Sequence, residues 1–423
     1  MVYEPAPWLI VRSPLAPAQG PGSVSATRPR DGLTDPRVRR ALAIGSRDLL
    51  DALQRPEASA RDRARAESKL ARYLIRMSTR PTPYGAFAAV SLAEWGDRTT
   101  VTVLNDRDRI RTRPDMGWLA GLCLALDADA AVRAESLWTV NACAVERHGR
   151  LTLAGAVKPQ GSVRITPAVR EVLRLARQPV PYARLRDHLL ERTTGSPGQV
   201  NRLLNQLWEQ RLVVTDMRPC LTVANPAVDL RQRLSTRGSC DDSVCALEEL
   251  LADMSAFDGA PASEAPSRLR RITDRANALH SVSGPVVQTD MARPVGDGGQ
   301  VNARVGEECA RAAELLLRLS PEPLGFPDLH SYRHRFLAHY GEREVPLLEM
   351  LDERGGIGPL GHAHGLDAGI SPERAAVRAS TLVDLALTAI RDRARAIELT
   401  DATVTSLQTW DPSSSTAPIS LDL

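Results

Sequence analysis

Apolar residues along this chain recur mostly at helical spacing, broken by short alternating runs. Residues 36–53 and 57–76 read as helices, the second carrying Leu70, Tyr73 and Leu74 on one stripe. Pro81 and Pro83 stop it, because proline lacks the amide donor and its ring clashes with the preceding turn. Residues 1–35, rich in proline, glycine and serine, predict extended chain with a short strand at Trp8–Val11. Ala88–Leu92 and Thr99–Leu104 alternate like strands. Asp115–Leu126 places Met116, Leu119, Ala120 and Cys123 at helical spacing.

Residues 151–219 read as a separate unit. Leu151–Val157 and Gly161–Thr166 suggest a hairpin. Thr166-Pro167 opens a helix as cap and first-turn residue, followed by Val169, Val172, Leu173 and Leu175. A second helix starts near Tyr182. A third carries Val200, Leu203, Leu204 and Leu207, and Arg211–Val214 closes the unit as a strand. Three helices with small strands form a winged-helix pattern. Beyond it, Asp253–Pro266 is the best linker candidate, with Gly259, Ala260 and Pro261. Helices are predicted over Ser267–Leu279, Val301–Leu319, Asp328–Tyr340 and Glu373–Ile397, and a strand over Val286–Thr289, ending at Asp290. The whole predicts an α+β fold of several subdomains, divided as 1–150, 151–219 and 220–423.

Composition narrows the class. The chain has 423 residues, 43% hydrophobic and 25% charged, as in soluble globular proteins. No apolar run approaches a membrane span, and the N-terminus lacks a secretory signal pattern, so a cytoplasmic protein is expected. The six cysteines are scattered without C-x-x-C spacing and read as free thiols. His362 and His364 flank an alanine with no third ligand nearby, so no metal site is expected. Net charge is only +3, yet residues 1–80 hold 15 Lys+Arg against 8 Asp+Glu. The basic residues are arginines apart from Lys69 and Lys158. Such a region is compatible with a nucleic-acid partner.

Arg76 and Arg80 lie four apart, on one face if helix persists that far, with Ser78 between them and Thr82 just after. The pair suits the grip of a phosphate or carboxylate. On the residues alone, a solvated helix end, favoured by the dipole, is the commoner explanation. Asp115 follows Arg111 and Arg113 at a helix start, where a first-turn acid is ordinary. Asp290 ends a strand, where a carboxylate serves a site or caps a turn.

In order, these segments resemble the N-terminal (glutamylation) domain of class I lanthipeptide and thiopeptide dehydratases, the lantibiotic dehydratases. Arg76–Phe87 is similar to that domain's most characteristic segment. Trp8–Leu15, Arg113–Leu119, Val287–Asp290 and Phe336–Pro359 resemble its other segments, so the likeness runs from near residue 8 to about 360. The resemblance implies transfer of glutamate from glutamyl-tRNA, a co-substrate, to serine and threonine hydroxyls of a ribosomally made precursor peptide. No cofactor is implied. Arg76, Arg80, Asp115 and Asp290 fall on positions the family uses for the transfer, with Ser78 and Thr82 as tRNA- or substrate-binding residues. The winged-helix unit resembles the family's leader-peptide recognition element, implicating Val163, Ile165 and Leu204. A DNA-binding winged helix fits less well, since only Arg202 and Arg211 are basic around its third helix.

The resemblance departs in length. The family's glutamylation domain is longer, and its elimination domain has no counterpart here. A split subunit completed by a second dehydratase subunit is therefore expected; a truncated product is the alternative. A homodimer is expected from the family's habit. Two other functions stay open: a non-catalytic module that binds precursor peptide or tRNA, and a peptide–aminoacyl-tRNA ligase.

Overall fold

The computed structural model describes residues 3–18, 29–57, 59–101, 108–153, 162–296, 299–320, 327–353, 355–360 and 372–408. Strand β1 (Trp8–Pro14) outlasts the predicted strand by three residues. Helix α1 (Pro36–Gly45) starts at Asp35, whose carboxylate accepts the Arg37 amide at 2.8 Å. Ser46 leaves the helical region and separates α1 from α2 (Arg47–Gln54), so 36–53 is two helices rather than one. Helix α3 (Ala60–Thr79) begins where the Ser59 hydroxyl accepts the Asp62 amide at 3.1 Å, and Pro81 and Pro83 lie beyond its end. Strand β2 (Ala88–Gly96) pairs antiparallel with the whole of β1 through its residues Ala88–Glu94. The strand expected over 99–104 is absent at 99–101, and 102–104 lie outside the described residues. The next strand is β3 (Arg109–Pro114), followed by α4 (Met116–Asp127) and α5 (Ala130–Ala134).

A second group of elements follows: β4 (Leu137–Val140), β5 (Ala144–Arg147), β6 (Arg150–Leu153), β7 (Val163–Arg164), α6 (Pro167–Leu175), β8 (Val180–Pro181), α7 (Tyr182–Arg192), α8 (Pro197–Glu209) and β9 (Val213–Thr215). The strands form two three-stranded sheets, β8-β4-β9 and β5-β6-β7. Leu151 pairs with Val163 in the predicted hairpin; its 154–161 part lies outside the described residues. The Thr166 hydroxyl accepts the Val169 amide, so α6 starts as predicted. Ser196 and Gln199 form a capping box on α8. Trp138, Val169, Leu185, Leu204 and Leu212 join in one core, which reaches upstream of residue 151 through Trp138.

The chain then returns to the first group with α9 (Pro226–Leu234), α10 (Asp241–Asp258), α11 (Ala265–Leu279), β10 (Val287–Ala292), β11 (Gln300–Asn302) and α12 (Ala303–Leu319). Helices α13 (Pro327–Tyr340), α14 (Leu347–Met350), α15 (Pro372–Arg391) and α16 (Asp401–Leu407) complete it. Asp253–Pro266 is not a linker. It is the corner of a helical hairpin, because Met254, Phe257 and Ala265 are buried in the main core. That core packs α1, α2, α3, α4, α10 and α11 on one face of the sheet β1-β2-β10-β3, to which β11 adds beside β2. The expected strand around Asp290 also runs on, to Ala292, and Asp290 is an interior residue of it. Gln288, Asp290 and Ala292 are the exposed positions of an alternating strand whose Thr289 and Met291 are buried. Among the described residues no helix is long and apolar enough to cross a membrane. All six cysteines are free.

Candidate functional site

Helix α3 ends at Thr79, and Arg80 caps it, donating its amide to Arg76 O at 3.0 Å. Both arginines line one groove of about 540 Å³ together with Lys69, Arg72, Tyr73 and Ile75 of α3. Ser46, at the N-terminus of α2, lines it from the other side. The guanidinium of Arg76 lies over the Tyr84 ring, 5.0 Å from its centroid, and its Nε is buried with no hydrogen-bond partner among the described residues. Tyr84 is fixed by Phe87, 5.4 Å between centroids, and by its hydroxyl donating to Gly45 O at 3.4 Å. The turn between them needs Gly85, which sits at φ +54°. The Ser78 hydroxyl is held within the helix, donating to Leu74 O and Ile75 O. Thr82 is exposed on the following loop.

The carboxylates belong to the sheet. Strands β3 and β10 pair antiparallel, Arg111 opposite Asp290, and Arg113 Nη2 reaches Asp290 Oδ2 at 3.3 Å. The Asp290 side chain stays 54% exposed, so this ion pair contributes little stability and leaves the carboxylate accessible. Behind it, Thr112 and Thr289 share a buried hydroxyl hydrogen bond at 3.0 Å. Asp115 follows β3 and donates its amide to Val286 O. Strand β10 runs parallel to β2 with Ala292 opposite Val90, so Asp290 lies toward the end where the 80–87 loop enters β2. Register therefore gathers Asp115, Asp290 and the Arg76–Phe87 segment at one end of one sheet.

Asp115 also has a structural task. Its Oδ1 accepts the amides of Gly117 at 2.8 Å and Trp118 at 3.3 Å, capping α4. Asp115→Ala is expected to cost about 1 kcal/mol in urea unfolding, while Asp115→Asn keeps a capping oxygen and most of that stability. Equal losses would show that the cap is not the reason.

Asp258, at the end of α10, supports the same strand: its Oδ2 accepts the Thr112 amide at 2.9 Å. Burial pushes its carboxyl above the usual value of 3.8, against the opposing effect of the Thr112 bonds. The folded chain then holds this proton more tightly than the unfolded one. Stability from this group is greatest at low pH and falls as pH rises from about 3.8 through the folded value. Asp258→Asn keeps an acceptor for Thr112, and it should flatten that part of the stability–pH curve. An unaltered curve would contradict the assignment.

The three residues expected from the resemblance to meet a leader peptide are placed differently from one another. Val163 and Leu204 are buried in the second core, at 7% and 0% exposure, and Ile165 is half-buried just beyond edge strand β7. Leu204 thus builds the floor of this unit. Lys69, Arg72 and Tyr73 were missed as groove residues, although their spacing to Arg76 is a helical stripe. That Arg113 pairs with Asp290 is not visible in the sequence, because the two lie on strands far apart in the chain. Among the described residues no cluster of three His, Cys, Asp or Glu could hold a metal ion, and His362 and His364 lie outside them.

The chain belongs to the lantibiotic dehydratase family: the family model for the lantibiotic dehydratase N terminus matches residues 34–423. It is 24% identical to the subtilin biosynthesis protein SpaB of Bacillus subtilis, over 84% of this chain and 36% of that protein. It is 22% identical to the epidermin biosynthesis protein EpiB of Staphylococcus epidermidis, over 69% of this chain and 30% of that protein. Its structure is similar to the tRNA-dependent lantibiotic dehydratase MibB from Microbispora sp. 107891, with TM-score 0.80 and 27% identity, covering 96% of this chain and 40% of that one. The glutamylation domain of TbtB, from thiomuracin biosynthesis, shares the fold at TM-score 0.58 and 21% identity, over 84% of this chain and 46% of that one. The chain thus spans about a third of the length of SpaB and EpiB.

Proposed function

We propose that the chain carries part of a glutamyl-transfer site, moving glutamate from glutamyl-tRNA to serine and threonine hydroxyls of a precursor peptide. The supporting observation is the Arg76–Arg80 groove and the carboxylates Asp115 and Asp290 at one end of the same sheet, in a member of this family. MibB is described as tRNA-dependent, which fits a cationic groove. In the reaction the peptide hydroxyl oxygen attacks the ester carbonyl carbon, and an oxyanion develops. The ester bond to the terminal ribose breaks, and the ribose oxygen takes a proton as it leaves. Arg76 and Arg80 are suited to hold tRNA phosphate, the glutamate carboxylate or the oxyanion. Asp290 is suited to take the hydroxyl proton or to hold the glutamate amino group. Asp115 caps α4 at the same end of the sheet.

The second core is read as the leader-binding element. A leader strand would add along edge strand β7, its side chains meeting Ile165 above the floor of Val163 and Leu204. Ile165→Asp is expected to weaken leader binding by about tenfold, the size of one well-packed contact. An unchanged affinity would remove this element from the reading.

Elimination of the glutamate is assigned to the rest of a dehydratase, on this or a second polypeptide. Exposed Val383, Leu387 and Ile390 on α15 suit contact with it. The test is to incubate the chain with that remainder, precursor peptide and glutamyl-tRNA, then weigh the peptide. Glutamyl adducts on side chains support the reading. Extension of the peptide C-terminus would make the protein a ligase. No change would make it a binding module.

A further inference from the structure

Helix α3 carries four cations on one side of the groove: Lys69, Arg72, Arg76 and the capping Arg80. They sit at steps of three, four and four residues, so they form one stripe about 16 Å long. None of the four makes an ion pair among the described residues. That sets them apart from the arginines of α11, where Arg268, Arg270, Arg271 and Arg275 each hold a carboxylate of the chain. Like charges three or four apart on a helix repel by a few tenths of a kcal/mol per pair. An arrangement that keeps this repulsion uncompensated is suited to an anion supplied from outside. A single carboxylate occupies one end of such a stripe; only a polyanion uses its length. Between the cations, Ile75 is exposed and Tyr73 half-buried, which gives the groove apolar surface as well as charge. Ser46, at the opposite wall, begins α2 and its hydroxyl caps no amide of that helix. The helix N-terminus there adds to the preference for an anion.

Resting on the glutamyl-transfer reading, we propose that Lys69 and Arg72 hold the phosphates of the single-stranded 3′ end of the tRNA. The groove is then a track along α3. The tRNA backbone enters at Lys69 and Arg72, and Arg76 and Arg80 receive its aminoacylated end. Alternating cations and apolar side chains are what single-stranded nucleic acid requires, one for phosphates and the other for base faces.

Binding of deacylated glutamate tRNA to the full chain, measured by filter retention over a range of salt concentrations, tests this. The Lys69→Gln/Arg72→Gln double variant is expected to bind about tenfold more weakly. Its plot of log affinity against log salt should be shallower by about 1.4, since each lost single-strand phosphate contact removes about 0.7. Precursor-peptide affinity should not move, and Lys69→Arg/Arg72→Lys should keep tRNA affinity. Both side chains are exposed, so the fold should survive; circular dichroism of both double variants checks it. Wild-type affinity and slope in the glutamine variant would overturn the track while leaving the transfer reading intact. A loss that fell on peptide binding instead would assign the stripe to the peptide. A wild-type chain that binds no tRNA would remove the reading itself, and the track with it.

Discussion

Arg76→Ala is expected to lower glutamyl transfer by about 10²- to 10³-fold, the usual cost of removing one preorganised donor from a developing oxyanion. Arg76 is preorganised in a way Arg80 is not. Its guanidinium rests on the Tyr84 ring, and that ring is held by Phe87 and Gly45. Its Nε is shielded from solvent and has no hydrogen-bond partner among the described residues, so a donor is already desolvated before any anion arrives. Arg76→Lys keeps the charge but loses the planar fork and its stacking, and is expected to recover only part of the rate. The fold should hardly notice either change. No ion pair among the described residues is broken, and the contact over Tyr84 is worth about 0.5–1 kcal/mol. Transfer rates measured under single-turnover conditions, beside a urea unfolding curve, separate the two effects. A wild-type rate in Arg76→Ala would take Arg76 out of the site.

The largest loss of stability is expected from Arg293→Ala, about 3–5 kcal/mol. Arg293 and Asp108 form an ion pair whose side chains are 1% and 5% exposed. Both carboxylate oxygens are engaged, by Nε at 2.6 Å and Nη2 at 3.0 Å. The remaining donors go to Pro14 O and Leu15 O, where β1 ends. The Arg293 carbonyl accepts the Ser91 hydroxyl, and its amide donates to Val90 O. The side chain therefore ties the chain just after β10 to the end of β1 and to Asp108 ahead of β3, while the backbone of the same residue holds β2. Alanine leaves Asp108 charged, buried and unpaired. Arg293→Ala/Asp108→Ala removes both charges, and it should be more stable than Arg293→Ala alone. Urea unfolding of the single and double variants checks this. A double variant no more stable than the single one would show that the buried pair is not the cause.

How much of this could be read beforehand depends on how local each feature is. Helix ends are local, and Pro81, Pro83 and the Thr166-Pro167 start stand where the chain's chemistry places them. Strand β3 was missed because Arg109, Arg111 and Arg113 alternate with Ile110, Thr112 and Pro114, and a strand with one arginine-rich face resembles loop composition. The 253–266 turn looks like a linker because glycine and proline mark corners of hairpins as well as domain boundaries. The Asp290 carboxylate was recognisable by its segment, but not its partner. Strands β3 and β10 meet across 177 positions at the Thr112–Thr289 bond, and only that pairing brings Arg113 to Asp290. The groove on α3 was legible as a pair of arginines. Its full length depended on the finding that Lys69 and Arg72 pair with no carboxylate among the described residues.

If this groove and sheet end serve transfer to a side-chain hydroxyl, tandem mass spectrometry of the precursor peptide will show it after incubation with glutamyl-tRNA, this chain and the rest of the dehydratase. A glutamyl ester located on serine or threonine is expected, formed by the wild-type chain and lost in Arg76→Ala/Arg80→Ala. A glutamyl amide at the peptide terminus would contradict it, as would ester formation that persists in the double variant.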